Sequence, residues 1–167
     1  MSSGRVFDAR ERRFGWFFED YQVEDHFIHW PGRTITEAED HLFCMMTMAA
    51  SPIHVDVEYG REETEFGRNV VVGTFVYSVL LGMSVPDISG RAIANLGVRE
   101  LRHVRPLFHG DTLYGRSTVV SVRNSRSRPN QGVLTVATVG VNQHDEVVCE
   151  FERAVLLPSR KMDTTSD

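Results

Sequence analysis

Residues 70–85 read "VVVGTFVYSVLLGMSV". On a helical projection the apolar side chains fall on every side, which predicts a core helix buried all round. The run is broken by Gly73, Thr74, Ser78, Gly82 and Ser84, and it is shorter than the roughly 20 apolar residues of a membrane span. Pro86 and Asp87 follow as a stop signal.

The texture changes on either side of this helix. Downstream, "NLGVRELRHV", "DTLYGRSTVVSVR", "GVLTVATVGVN" and "EVVCEFERAVLL" are β-branched and alternating, the pattern of strands. "FHGD" and "NQHDE" supply turn residues at two junctions, and "NSRSRPNQG" a longer connection. Such short connections favour antiparallel neighbours. Upstream, Thr36 followed by Glu39 forms a capping box ahead of an apolar run, predicting a helix over 37–47. Asp56 is placed to cap a second short helix, "VEYGREETEF". The fold class expected is therefore α+β, an antiparallel sheet packed on one buried helix. The expected division is an N-terminal extension over 1–15, one domain over 16–160 and a frayed polar tail, "KMDTTSD", over 161–167.

The chain has 167 residues, 41% of them hydrophobic and 25% charged, enough for one domain with a core of its own. A net charge of -5 disfavours a nonspecific nucleic-acid binder, which needs a basic field. Cys44 and Cys149 stand far apart with no metal or redox spacing, so both read as buried thiols in a reducing cytoplasm. The N-terminus lacks the apolar stretch of an export signal, and neither secretion nor membrane anchoring is expected.

"RTITEAEDHLF", "PIHVDVEYG", "TEFGRNVVVGTF", "RPLFHGDTLYG" and "SRSRPNQGVLTV" follow one another in the order and spacing of the MaoC-like, or (R)-specific, enoyl-CoA hydratases. The resemblance covers residues 16–160. It implies a hot-dog fold, a curved antiparallel sheet wrapped around a long helix, paired as a homodimer or higher homo-oligomer with an acyl-CoA tunnel at the interface. The family signature places an aspartate, then an asparagine, ahead of a proline, an aliphatic residue and a histidine. Here the last three are Pro52, Ile53 and His54, but Ala49 stands at the aspartate position and Ser51 at the asparagine position. Within the family the chain resembles the branch that hydrates mesaconyl-CoA and itaconyl-CoA, where "TM" precedes this loop as Thr47 and Met48 do.

Hydrating an enoyl thioester requires a base for water, donors for the developing oxyanion and a proton for the α-carbon. His54 is the candidate base, with Ser51 as a possible holder of the nucleophile. Gly73 and Thr74 open the central helix, where free N–H groups face an anion; by the resemblance Gly73 is the oxyanion donor. Arg126 and Arg128 offer guanidinium groups suited to the phosphates of CoA, and Arg33 and Arg105 are candidates for a substrate carboxylate. No histidine cluster has ligand spacing, so neither a metal nor a redox cofactor is expected; CoA enters as part of the substrate. The empty aspartate position admits two readings. A dicarboxylic substrate brings its own charge, beside which an enzyme carboxylate would be repelled. Alternatively the protein is a catalytically silent acyl-CoA binding subunit. A hot-dog thioesterase is a third possibility, to which no residue points specifically.

Overall fold

A computed structural model describes residues 4–8 and 14–160. The elements run in the order β1 (Val6–Asp8), β2 (His26–Ile28), β3 (Arg33–Thr34), α1 (Glu37–Thr47), α2 (Pro52–Val55), α3 (Val57–Glu62), α4 (Gly73–Met83), β4 (Ala94–His103), β5 (Thr112–Asn124), β6 (Gln131–Val141) and β7 (Val147–Pro158). The sheet order is β1-β2-β5-β6-β7-β4, with β3 paired to β5, and every pairing except β1 with β2 is antiparallel. The tail over 161–167 lies outside the described residues, as does part of the N-terminal extension. Within that extension, β1 joins the sheet and Phe7 stacks on Phe27 with ring centroids 4.9 Å apart.

Local chemistry sets the helix ends. The Thr36 hydroxyl accepts from the Glu39 N–H (3.4 Å) while the Glu39 carboxylate accepts from the Thr36 N–H (3.2 Å), the reciprocal box that starts α1. The Asp56 carboxylate accepts from the N–H groups of Glu58 and Tyr59, both at 3.1 Å, and starts α3. That helix stops at Glu62, earlier than its sequence suggests. The Thr64 hydroxyl donates back to the Gly60 carbonyl (2.6 Å), and Gly67, at φ +63°, turns the chain toward α4.

The central helix also differs from the sequence reading at both ends. Val70 bridges to Phe108 and the Val71 N–H donates to the Leu107 carbonyl (2.9 Å), so these β-branched residues are extended and α4 begins at Gly73. Past Met83 the chain continues into one wide turn over Val85–Ser89, which accommodates Pro86 because an N–H is not needed in a first turn. The helix is not buried on every side. Val76 and Leu80 are buried against the sheet, whereas Thr74, Ser78 and Gly82 are exposed. Within one chain the sheet covers only one face.

That covered face is tightly fitted. Gly115 and Gly140 are cross-strand partners in β5 and β6, and a Cβ on either would come within 2.9 Å or 2.8 Å of a Leu80 methyl. Tyr77 meets Phe151 edge to face at 5.0 Å. One core cluster gathers Val76, Leu80, Leu113, Val148 and Phe151 about α4; a second gathers Tyr21, Phe27, Ile88, Val136 and Leu157 around the N-terminal aromatics. Between them lies a buried polar chain: His29 Nδ1 is 2.7 Å from Asp87, its Nε2 is 2.8 Å from the Ser117 hydroxyl, and Ser117 is 2.8 Å from the Thr138 hydroxyl. The residue types resemble a hydrolase triad, but Ser117 is 2% exposed and has no access to a substrate, so the chain serves to satisfy core polar groups. Cys44 and Cys149 are both buried; burial raises both thiols, Cys149 to about 11.

Candidate active site

The loop around His54 is built by short-range hydrogen bonds. Met48, at φ 61°, ends α1 in the left-handed region, and Pro52 opens α2 at a helix start, where its fixed φ suits it. The Ser51 carbonyl accepts from the His54 N–H at 2.9 Å. Buried Asn69 clamps the far side: its Nδ2 donates to the carbonyls of Ile53 and Asp56, both at 2.9 Å, with that of Pro52 at 3.3 Å. The Val70 N–H donates to the Ile53 carbonyl (3.1 Å), completing the tie between α2 and the segment entering α4.

This tie fixes the tautomer of His54. Its Nδ1 lies 2.7 Å from the Val70 carbonyl, which can only accept, so Nδ1 carries the proton. In the neutral ring Nε2 then holds the lone pair, the arrangement a general base requires. His54 lines a cavity of about 310 Å³ shared with Gly73, His103, Arg105 and apolar residues including Val76 and Val148. Gly73 is the first residue of α4; the N–H groups of Phe75 and Val76 donate to the Val72 carbonyl (2.9 and 3.3 Å), whereas those of Gly73 and Thr74 precede the first helical acceptor. The His54 imidazole and the start of α4 therefore line one largely apolar chamber.

The helix start is itself held from below. Asp40, completely buried in α1, accepts from the N–H of Val72 (3.1 Å) and lies 2.9 Å from His109 Nε2. Gly73 serves a steric purpose as well: a Cβ there would stand 2.9 Å from the imidazole of His103.

The remaining sequence candidates lie elsewhere. Ser51 is exposed and Ala49 half-buried, and neither lines the cavity; Thr74 is exposed on the open face of α4. Arg33 is paired with Glu39 and borders a different hollow, beside Trp30 and Met83. Arg126 and Arg128 are exposed on the β5–β6 connection. That hairpin lies by the Pro158 end of β7 while the cavity lies by Val148, a separation of about 33 Å at 3.3 Å per residue. Within one chain the structure thus joins His54 with Gly73 and Arg105, and leaves the two hairpin arginines apart.

Sequence reasoning missed Asn69, Asp40 and His103. A lone asparagine after "GR" and a lone aspartate in an amphipathic helix carry no signal of what they will touch. Among the described residues no three ligand-type side chains converge as a metal site, and no helix is long and apolar enough to cross a membrane.

Comparison with known proteins agrees with this geometry. The chain is 35% identical to a mesaconyl-CoA hydratase of Cereibacter sphaeroides over 91% of its own length and 43% of that protein's. It is 34% identical to a beta-methylmalyl-CoA dehydratase of Chloroflexus aurantiacus over 87% of its length and 41% of the relative's. It thus spans less than half the length of these curated relatives. Among solved structures, a MaoC-like dehydratase from Rhodospirillum rubrum superposes with a TM-score of 0.77 at 27% identity, covering 87% of this chain and 99% of that one. A family profile described as mesaconyl-CoA hydratase matches residues 4–167, and the chain belongs to that MaoC-like, hot-dog family.

Proposed function

We propose that this chain, paired with a second copy, is a cytoplasmic hydro-lyase that reversibly adds water to a short dicarboxylic 2-enoyl-CoA or a related methylene acyl-CoA. Mesaconyl-CoA to methylmalyl-CoA is the leading case, and itaconyl-CoA to citramalyl-CoA the neighbouring one. The observation that carries this reading is the His54–Val70 hydrogen bond, which leaves a basic nitrogen in a chamber that also holds the start of α4.

For the conjugated substrate, mesaconyl-CoA, the steps follow from the chemistry of the groups. Water bonds through oxygen to the β-carbon while its proton passes to His54 Nε2. The electron pair of the double bond moves onto the α-carbon and the thioester oxygen, where N–H groups at the Gly73 turn offset the charge. The pair then returns to form a C–H bond at the α-carbon, and His54 gives up the proton it took. One residue both accepts and returns the proton, so no second acid is needed, and neither a metal nor a redox cofactor enters.

Support for a dimer comes from β4. Paired with β7 on one side, it has no strand partner on the other among the described residues, and Leu96, Val98 and Leu101 are exposed along its ten residues, an arrangement that favours pairing with another strand. A second copy would also cover the open face of α4 and place its own surface over the cavity beside His103. The distant hairpin arginines, Arg126 and Arg128, are then candidates for the CoA phosphates of the partner's site.

The test is hydration of mesaconyl-CoA and itaconyl-CoA, followed by mass gain of water, in the wild type and His54→Ala. The variant is expected to lose about 10²- to 10⁴-fold in rate while retaining CoA-ester binding. A wild type that binds the esters without turnover would instead identify a silent binding subunit.

A further inference from the structure

The chamber around His54 contains three ionisable side chains, His54, His103 and Arg105, and none of its lining residues is a carboxylate. Since His54 has its Nδ1 committed to Val70, the other two remain to be explained. Both come from the end of β4 and the two residues beyond it.

A bulge determines which of the exposed β4 side chains lie on the side of the sheet that carries α4. Arg99 pairs with Glu152 and Arg102 with Glu150, so Glu100 and Leu101 together oppose the single residue Phe151. Glu100 takes φ 56°, an uncommon conformation for a residue with a side chain. Regular pairing through this point would set Arg102 opposite Cys149, on the face that meets α4. The extra residue sets His103 there instead and turns Arg102 outward, where it pairs with Glu150 at 2.7 Å. His103 then lies against Gly73, at the helix start where the mechanism proposed above puts the thioester oxygen.

Arg105 is only loosely held. Its Nε stands 4.0 Å from Glu146, itself bonded by Asn142 at 2.9 Å, and its Nη1 reaches the Val147 carbonyl at 3.5 Å. The guanidinium keeps donors free to reorient. In a four-carbon dicarboxylyl thioester three bonds separate the thioester carbon from the distal carboxylate, about 3.8 Å when trans. A thioester oxygen at the Gly73 turn therefore leaves that carboxylate within the same chamber as His103 and Arg105.

We propose that His103 and Arg105 form the subsite for the distal carboxylate of the acyl group, and that the bulge at Glu100 and Leu101 exists to aim His103 into it. This rests on the acyl-CoA reading given above. Arg105 supplies the charge and a planar fork, and His103 one ring N–H in either neutral tautomer. Pairing the carboxylate also reduces its repulsion of the electron-rich water that must attack the neighbouring carbon. The chamber thus has a charge to balance, which accounts for Ala49 standing where the family signature has an aspartate.

Two measurements separate this proposal from the reading beneath it. Affinities for the unreactive pair succinyl-CoA and butyryl-CoA, which differ by one carboxylate, need no turnover. The wild type is expected to prefer succinyl-CoA by tenfold or more, and Arg105→Ala and His103→Phe to lose most of that preference while still binding butyryl-CoA. Rates are then compared on mesaconyl-CoA and crotonyl-CoA, where Arg105→Ala should lower kcat/KM for the dicarboxylate at least tenfold more than for crotonyl-CoA. A wild type without preference for succinyl-CoA, or variants that lose both substrates equally, would overturn the subsite whether or not the protein is a hydratase. Preference for succinyl-CoA without hydration of any enoyl-CoA would uphold the subsite and defeat the catalytic reading. A variant that fails to fold is replaced by Arg105→Lys, which keeps the charge but not the fork and should retain part of the preference.

Discussion

The role proposed for His54 rests on one backbone carbonyl. Without the Val70 acceptor either ring nitrogen could carry the proton, and rings protonated at Nε2 would present a donor where the proposed mechanism needs a base. The adjacent steric fit is just as local. Gly73 leaves room for the His103 ring, and a methyl group added there would meet it at 2.9 Å. Gly73→Ala is therefore expected to lower kcat/KM for mesaconyl-CoA by about tenfold or more, since the ring or the acyl group must move from the helix start. An unchanged rate would show that neither lies against it. Ala49 poses the reverse question. Ala49→Asp restores a carboxylate to the loop that carries His54 and should slow the dicarboxylate more than crotonyl-CoA; a faster rate on mesaconyl-CoA would contradict that account.

At the scale of elements, α4 depends on a carboxylate from another helix. Asp40 is completely buried and takes the Val72 N–H at the point where the helix begins. Asp40→Ala would strand that donor and His109 in the interior, a destabilisation of about 2 kcal/mol. Urea unfolding should show a lower midpoint with an unchanged slope, and Asp40→Asn, which keeps an acceptor oxygen, should recover part of the loss. Much of this level could be read in the chain. The box at Thr36 and Glu39, the cap at Asp56 and the four long strands are set by side chains within a few residues of the backbone they control. The true start of α4 was not legible, because "VVVG" suits an apolar helix or an extended run equally well and its contacts with Leu107 and Phe108 decide between them. Nor was the bulge: nothing in "VRELRHV" marks where alternation slips by one residue.

For the whole molecule, the unsatisfied surfaces lie together. Gly73 and Val76 of α4 and His103 at the end of β4 line the same cavity, α4 has an exposed face, and β4 ends the sheet. A second copy joined through β4 would satisfy all three. Leu96→Asp combined with Leu101→Asp places charge on that edge and is expected to give a species of 19.0 kDa in place of one of twice that mass, with loss of hydration. Retention of the larger mass would direct the search for the interface to another surface.

What the sequence determined by itself was the fold class, the order of its elements and the presence of a histidine on a proline-opened turn, since these follow from periodicity, capping and a loop signature carried in contiguous residues. Tertiary structure alone decided which charges share the chamber. Arg105 and His103 enter it while Arg33 and the hairpin arginines do not, because strand register, one bulge and the length of β7 bring together residues far apart in the chain and separate others. Those distances are properties of the packed sheet, and no local pattern of residues encodes them.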